Sequence, residues 1–186
     1  DASIYTTYFV ARNHNDFMKD HMEECQQLYL MSPFHTASQE SLAIDFMQGY
    51  YREQVVPDYH HDPKEWWEVI NRTTGQVVPS SQWQVDQERD LVIVEEAEPF
   101  HEYTVSFLVY KIWDPTQMYN HITNNWGDSV AHDIPFDVRQ PHSNRFMSDY
   151  LRRWCQENPK TDVVRFTTFF YHFTLVFNDK AKEKFV

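Results

Sequence analysis

The chain has 186 residues and a formal net charge of −12, with 28 acidic side chains against 16 lysines and arginines. That balance disfavours a surface for nucleic-acid backbone, which needs clustered cations, so any phosphate held here must sit in a local cationic pocket. Aromatics at 17% with only three glycines fit a packed globular body and exclude a disordered or linker protein.

Taken in chain order, IYTTYFVAR (4–12) is rich in β-branched and aromatic residues and predicts a strand, followed by the polar stretch NHNDFMKDHMEEC, part loop and part helix. QQLYLM predicts a second strand, closed by Ser32-Pro33. From Ser38, the spacing of Leu42, Phe46, Met47, Tyr50 and Tyr51 predicts a helix capped by Ser38 and ended by Pro57. Between about residues 64 and 100 the period changes to two, in WWEVINRTTGQVV, QWQVD and DLVIVEE separated by Gly75, Pro79 and acidic turns. A small antiparallel β insertion is expected there.

HEYTVSFLVYKIW then predicts a long strand ending at Asp114-Pro115, where Asp114 suits an N-cap and Pro115 the first helical position of PTQMYNHITNN. A further helix, NRFMSDYLRRWCQE, carries an apolar stripe of Phe146, Met147, Tyr150, Leu151, Trp154 and Cys155, and Asn158-Pro159 stops it. It leads into TDVVRFTTFFYHFTLVF (161–177), which reads as a fully buried strand containing one cation, Arg165. Strands alternating with helices predict parallel βαβ units and an α/β fold, in which sites gather at the carboxyl ends of strands.

Several residues carry chemistry at such ends. A guanidinium in an apolar strand is either paired with a carboxylate or aimed at an anion in a cavity, and Arg165 fits both readings. Thr116 and Asn120 lie four apart on the helix that opens at the strand end, so both reach one face, where they could bond sugar hydroxyls or an acetamido group. The alternative is local backbone bonding, which Asn and Thr favour. Trp113 and Trp126 flank this mouth as candidate sugar-stacking faces.

His60-His61-Asp62 and His132-Asp133 lack paired metal-ligand spacing, and no metal site is expected. Cys25 and Cys155 form no C-x-x-C pair and predict reduced thiols. No apolar run of about 18 residues appears, and Asn71-Arg72-Thr73 is an isolated glycosylation tripeptide, so a cytoplasmic protein is expected. No G-x-S-x-G, P-loop or dinucleotide fingerprint is present. The chain opens at Asp1 without a methionine and stops within NDKAKEKFV, which suggests a piece of a longer protein.

At HEYTVSFLVYKIWDPTQMYNHITNNWGD and at TDVVRFTTFFYHFTLVFNDKAKEK the sequence closely resembles glycoside hydrolase family 112, the galacto-N-biose/lacto-N-biose phosphorylases. EVINRTTGQVV, HDIPFDV and YFVARNHNDF extend the likeness over nearly the whole chain. The resemblance implies that residues 1–186 are the N-terminal part of a catalytic barrel domain, incomplete at both ends: a partial, irregular (β/α)8 barrel with the β insertion. It also implies a cytoplasmic, metal-independent homodimer without cofactor, which uses inorganic phosphate as co-substrate to cleave β-1,3-galactosyl-N-acetylhexosamine, giving α-galactose 1-phosphate with inversion.

By the same resemblance, Arg165 matches an arginine of the phosphate and galactosyl region, and Thr116 and Asn120 fall at the acceptor-sugar subsite with Pro115 shaping its wall. Position 116 varies in the family, so the resemblance leaves the acceptor open. The general acid is an aspartate expected beyond Val186, and another anion-binding arginine is expected before Asp1. Three alternatives stand beside this reading: a galactosyl-rhamnose phosphorylase, a non-catalytic carbohydrate-binding barrel, and an inverting hydrolase with carboxylates about 6.5–9.5 Å apart.

Overall fold

The computed structural model describes residues 2–8, 14–126, 129–166 and 175–178. They divide into two compact units. One comprises Gln27–Tyr110 with Phe177 and Asn178; the other, the described residues of Asp1–Gln26 and Lys111–Val176.

In the second unit, β1 (Tyr5–Tyr8) and β11 (Val163–Phe166) form a two-stranded parallel sheet with Thr7 opposite Arg165. The chain between them supplies α1 (Asn15–Lys19), α3 (Pro115–Thr123) and α4 (Pro141–Glu157). Asp114 caps α3 as expected, accepting from the N–H groups of Thr116 at 3.0 Å and Gln117 at 2.9 Å. The expected stop of α4 also holds, with Asn158 as its C-cap. Its apolar stripe is only half-covered: Phe146 stacks on Phe17 with ring centroids 4.2 Å apart, while Cys155 is exposed.

The first unit is all antiparallel where its ladder registers are described. β2 (Gln27–Met31), β10 (Glu102–Lys111), β6 (Glu68–Asn71) and β7 (Gln76–Val77) lie side by side, and β3 (His35–Thr36) and β5 (Val55–Pro57) also pair with β10. A second sheet runs β4 (Leu42–Asp45), β9 (Leu91–Val94), β8 (Trp83–Asp86). Phe107 of β10, Phe46 and Trp67 meet at ring distances of 4.8–5.8 Å and centre the core. α2 (Pro63–Trp66) is a single turn, pinned by Lys64, whose ammonium lies 3.9 Å over the Trp83 ring.

The structure corrects the sequence reading at three places. First, residues 38–57 are not a helix: Leu42 and Ile44 are alternate inward residues of β4, followed by turns that include Gly49 at φ 87°. The apolar spacing there comes from a strand leading into a turn, and pairing with Leu91–Val94 overrides helical propensity. Second, β11 is not buried, since Asp162, Val163 and Arg165 are exposed. Among the described residues it pairs only with β1, and Val164 alone of its first three residues is half-buried; the rest of the run, 167–174, lies outside the described residues. Third, the architecture is mixed α/β with several sheets, none of them closed into a barrel among the described residues.

Asn71 is 5% exposed. Its Oδ1 accepts from the N–H groups of Thr73 and Thr74, and its Nδ2 lies 2.9 Å from His101 Nδ1. The glycosylation tripeptide is therefore a structural turn. The thiols are free, Cys25 buried and Cys155 exposed; burial, reinforced by Glu23, pushes the Cys25 thiol up to about 12, so it stays protonated at neutral pH.

Candidate functional site

The residues singled out at the β10–α3 junction do come together. Pro115 is buried at the first turn of α3, and Thr116 and Asn120 are half-buried one turn apart. Neither of the latter two side chains makes a hydrogen bond among the described residues, and Thr116 stands in the first turn of α3 as an ordinary helical residue would. Their polar groups remain available on one helix face.

Gln117, which sequence reasoning overlooked, fastens this junction. Its Oε1 accepts from Trp113 Nε1 at 2.7 Å and from the Asp133 N–H at 2.7 Å, while Nε2 donates to the Ala131 carbonyl at 2.8 Å. One amide thus ties the strand end, the helix and the loop at 131–133. Asn15 grips the same loop, donating to the His132 carbonyl at 2.8 Å and accepting from the Ile134 N–H at 2.9 Å. The spacing of Gln117, four residues after a tryptophan at a strand end, was the available signal.

Trp113 is 3% exposed and stacks on His132, with centroids 3.4 Å apart and planes 9° apart. It is therefore a wall of the junction and no open platform. Trp126 is exposed and meets His121 edge-on at 6.4 Å, so of the two tryptophans it is the one with a solvent face.

Arg165 is exposed on β11 and makes no ion pair among the described residues. Among the described residues no hydrogen bond joins it to Thr116 or Asn120. The His60-His61-Asp62 segment folds around Asp58, which is fully buried and accepts from His61 Nδ1 at 2.8 Å and from Gln27 Nε2 at 2.6 Å. Among the described residues no three His, Cys, Asp or Glu side chains are placed to hold a metal, and no helix is long and apolar enough to cross a membrane. An open depression on α4 is lined by Phe146, Asp149, Arg152 and Arg153, and none of the candidate residues is among them.

The geometry makes Asp114 the keystone of the β10–α3 junction. Asp114→Ala is expected to cost about 1–2 kcal/mol and to speed amide exchange at residues 116 and 117, whereas Asp114→Asn, which keeps the capping oxygen, recovers most of the loss.

Comparison with known proteins places these residues in context. The family described as "Lacto-N-biose phosphorylase N-terminal TIM barrel domain" matches residues 1–186. A 1,3-beta-galactosyl-N-acetylhexosamine phosphorylase of Lachnoclostridium phytofermentans is 50% identical over 186 residues, covering 100% of this chain and 26% of the relative. One of Bifidobacterium longum subsp. longum is 48% identical over 183 residues, covering 98% of this chain and 24% of the relative. A D-galactosyl-beta-1->4-L-rhamnose phosphorylase of Lachnoclostridium phytofermentans is 32% identical over 183 residues, covering 98% of this chain and 25% of the relative. The chain spans about a quarter of the length of these relatives. With one family description running through every residue of the sequence, the chain belongs to the lacto-N-biose phosphorylase family.

Proposed function

We propose that this chain is part of an enzyme that cleaves β-1,3-galactosyl-N-acetylhexosamine with inorganic phosphate and releases α-galactose 1-phosphate with inversion. The observation that carries this reading is the identity of 45–50% to relatives named for that activity, against 32% to the galactosyl-rhamnose phosphorylase. The same gradient favours an N-acetylhexosamine acceptor over rhamnose.

We further read residues 1–186 as the N-terminal part of a (β/α)8 barrel, incomplete at both ends, with the β insertion at about 64–100. The parallel pairing of β1 with β11, across intervening helices, supports this reading. The full-length protein is proposed to be a cytoplasmic homodimer, which rests on the family resemblance alone.

In the reaction, a phosphate oxygen forms the bond to the anomeric carbon while the bond to the acceptor oxygen breaks, and a carboxylic acid gives that oxygen its proton. Phosphate is already anionic, so no general base is needed and no metal or organic cofactor is invoked. Arg165 would hold the phosphate or the galactosyl group, and the acid would come from the remaining polypeptide. Thr116 and Asn120 would bond the acceptor sugar, with Pro115 setting the wall behind them.

The test uses the full-length chain. Galactose 1-phosphate should form only when phosphate is present, and Asn120→Ala should raise the KM for N-acetylhexosamine in the synthetic direction by about tenfold, the loss of roughly one hydrogen bond. Release of free galactose without phosphate would assign the protein to the hydrolases. Binding without turnover would make it a carbohydrate-binding barrel.

A further inference from the structure

Among the described lysines and arginines only Lys111 is buried. It ends β10, is 0% exposed, and its Nζ has no hydrogen-bond partner among the described residues. Its backbone N–H donates to the Gln26 carbonyl at 2.9 Å, which extends the Tyr110–Gln27 register by one rung. The two side chains therefore leave the ladder on the same face. Gln26 Oε1 is likewise buried without a partner.

An enclosed ammonium lacking an acceptor is among the costliest features a fold can carry, and such groups are paired by a negative charge. Asp114 acts on Lys111 only through space, its Oδ1 being engaged by the first N–H groups of α3. Burial pulls the Lys111 ammonium down to about 8 and Asp114 opposes the fall, so the group is still cationic at pH 7. Among the described residues Asp114 supplies a charge near the ammonium, but none supplies an acceptor within hydrogen-bond reach of Nζ.

We propose that Lys111 is a phosphate-binding residue, its ammonium donating to an oxygen of inorganic phosphate at the carboxyl end of β10. This rests on the phosphorolytic reading above. Hydrogen phosphate complements both orphan groups, offering an anionic oxygen to the ammonium and a hydroxyl to the Gln26 carbonyl. Lys111 lies three residues before the cap of α3 and five before Thr116, so an anion held there sits at the same strand end as the acceptor side chains. Its long stem allows the ammonium to move toward the strand end as the anion enters.

The test is steady-state phosphorolysis by the full-length enzyme with phosphate varied. Lys111→Met should raise the KM for phosphate by about tenfold or more while the KM for the disaccharide stays within about twofold. An unchanged phosphate KM, or equal rises in both constants, overturns the assignment. A structure of the full-length wild type grown in phosphate decides the matter if the variant does not fold: a phosphate oxygen within about 3.2 Å of Nζ supports it, and a protein carboxylate in that place overturns it. Wild-type enzyme that makes no use of phosphate would refute the reaction itself, separately from the role of this lysine.

Discussion

Arg165→Ala in the full-length enzyme is expected to lower kcat/KM for phosphate by about a hundredfold, the loss of roughly 3 kcal/mol when a charge-assisted contact to a dianion is removed. Arg165 stands on β11 with its guanidinium exposed and, among the described residues, unpaired. In a chain carrying −12, a cation left without an acidic neighbour is a resource for an incoming anion. Arg165→Lys should recover only part of the loss, because an ammonium cannot reproduce the planar two-point grip of a guanidinium. Initial rates against phosphate concentration read both variants. A change below about threefold in the alanine variant would remove Arg165 from the mechanism.

Glu24→Ala is expected to destabilise the protein by about 3 kcal/mol, several degrees in melting temperature. Glu24 is 4% exposed and closes the N-terminus of α4. Its Oε2 accepts from the Ser143 N–H and Oγ, both at 2.6 Å, and its Oε1 lies 2.8 Å from His142 Nδ1. Burial by itself would raise the carboxyl, but the hydrogen bonds from Ser143 and His142 outweigh it and hold the group below its usual 4.5. A depressed carboxylate stabilises the fold above its unfolded value and loses that contribution as pH falls through the folded one. The melting difference between wild type and Glu24→Ala should therefore be largest near neutrality and shrink below about pH 4, measured by thermal melts across pH. A difference independent of pH would mean that the carboxylate's charge contributes nothing.

How much of this was legible beforehand depended on how local the cause was. Asp114-Pro115 announced a helix start because capping needs only neighbouring atoms, and Asn158-Pro159 announced a stop for the same reason. The period-two runs of β6, β8 and β9 were readable because one face of each is covered. The stretch from Ser38 to Pro57 misled because Leu42, Phe46 and Tyr50 recur at four, which here reflects β4, its pairing with β9 and a following turn. Arg165 drew attention as a cation inside an apolar run; the same pattern in SFLVYKIW pointed with equal force to Lys111, and it is Lys111 that the fold encloses. Burial is a property of the partners a strand finds, and among the described residues β10 has neighbours on both sides whereas β11 pairs only with β1. Of the grip of Gln117 only the tie to Trp113, four residues back, had a local signal; its hold on residues 131 and 133 and the closure by Glu24 join segments brought near only by folding, 119 positions apart for Glu24 and Ser143.

The pairing of β1 with β11 also bears on synthesis. The Ile4 N–H donates to Asp162, 158 positions later. At roughly 5–20 residues per second a ribosome needs on the order of 8–30 s to deliver the second strand after the first. During that interval β1 has emerged with its ladder groups unmated, a nascent edge that a chaperone or a neighbouring polysome product can reach. Slower translation through α3 and α4 would lengthen that exposure, and the yield of properly assembled protein should track elongation speed across that stretch.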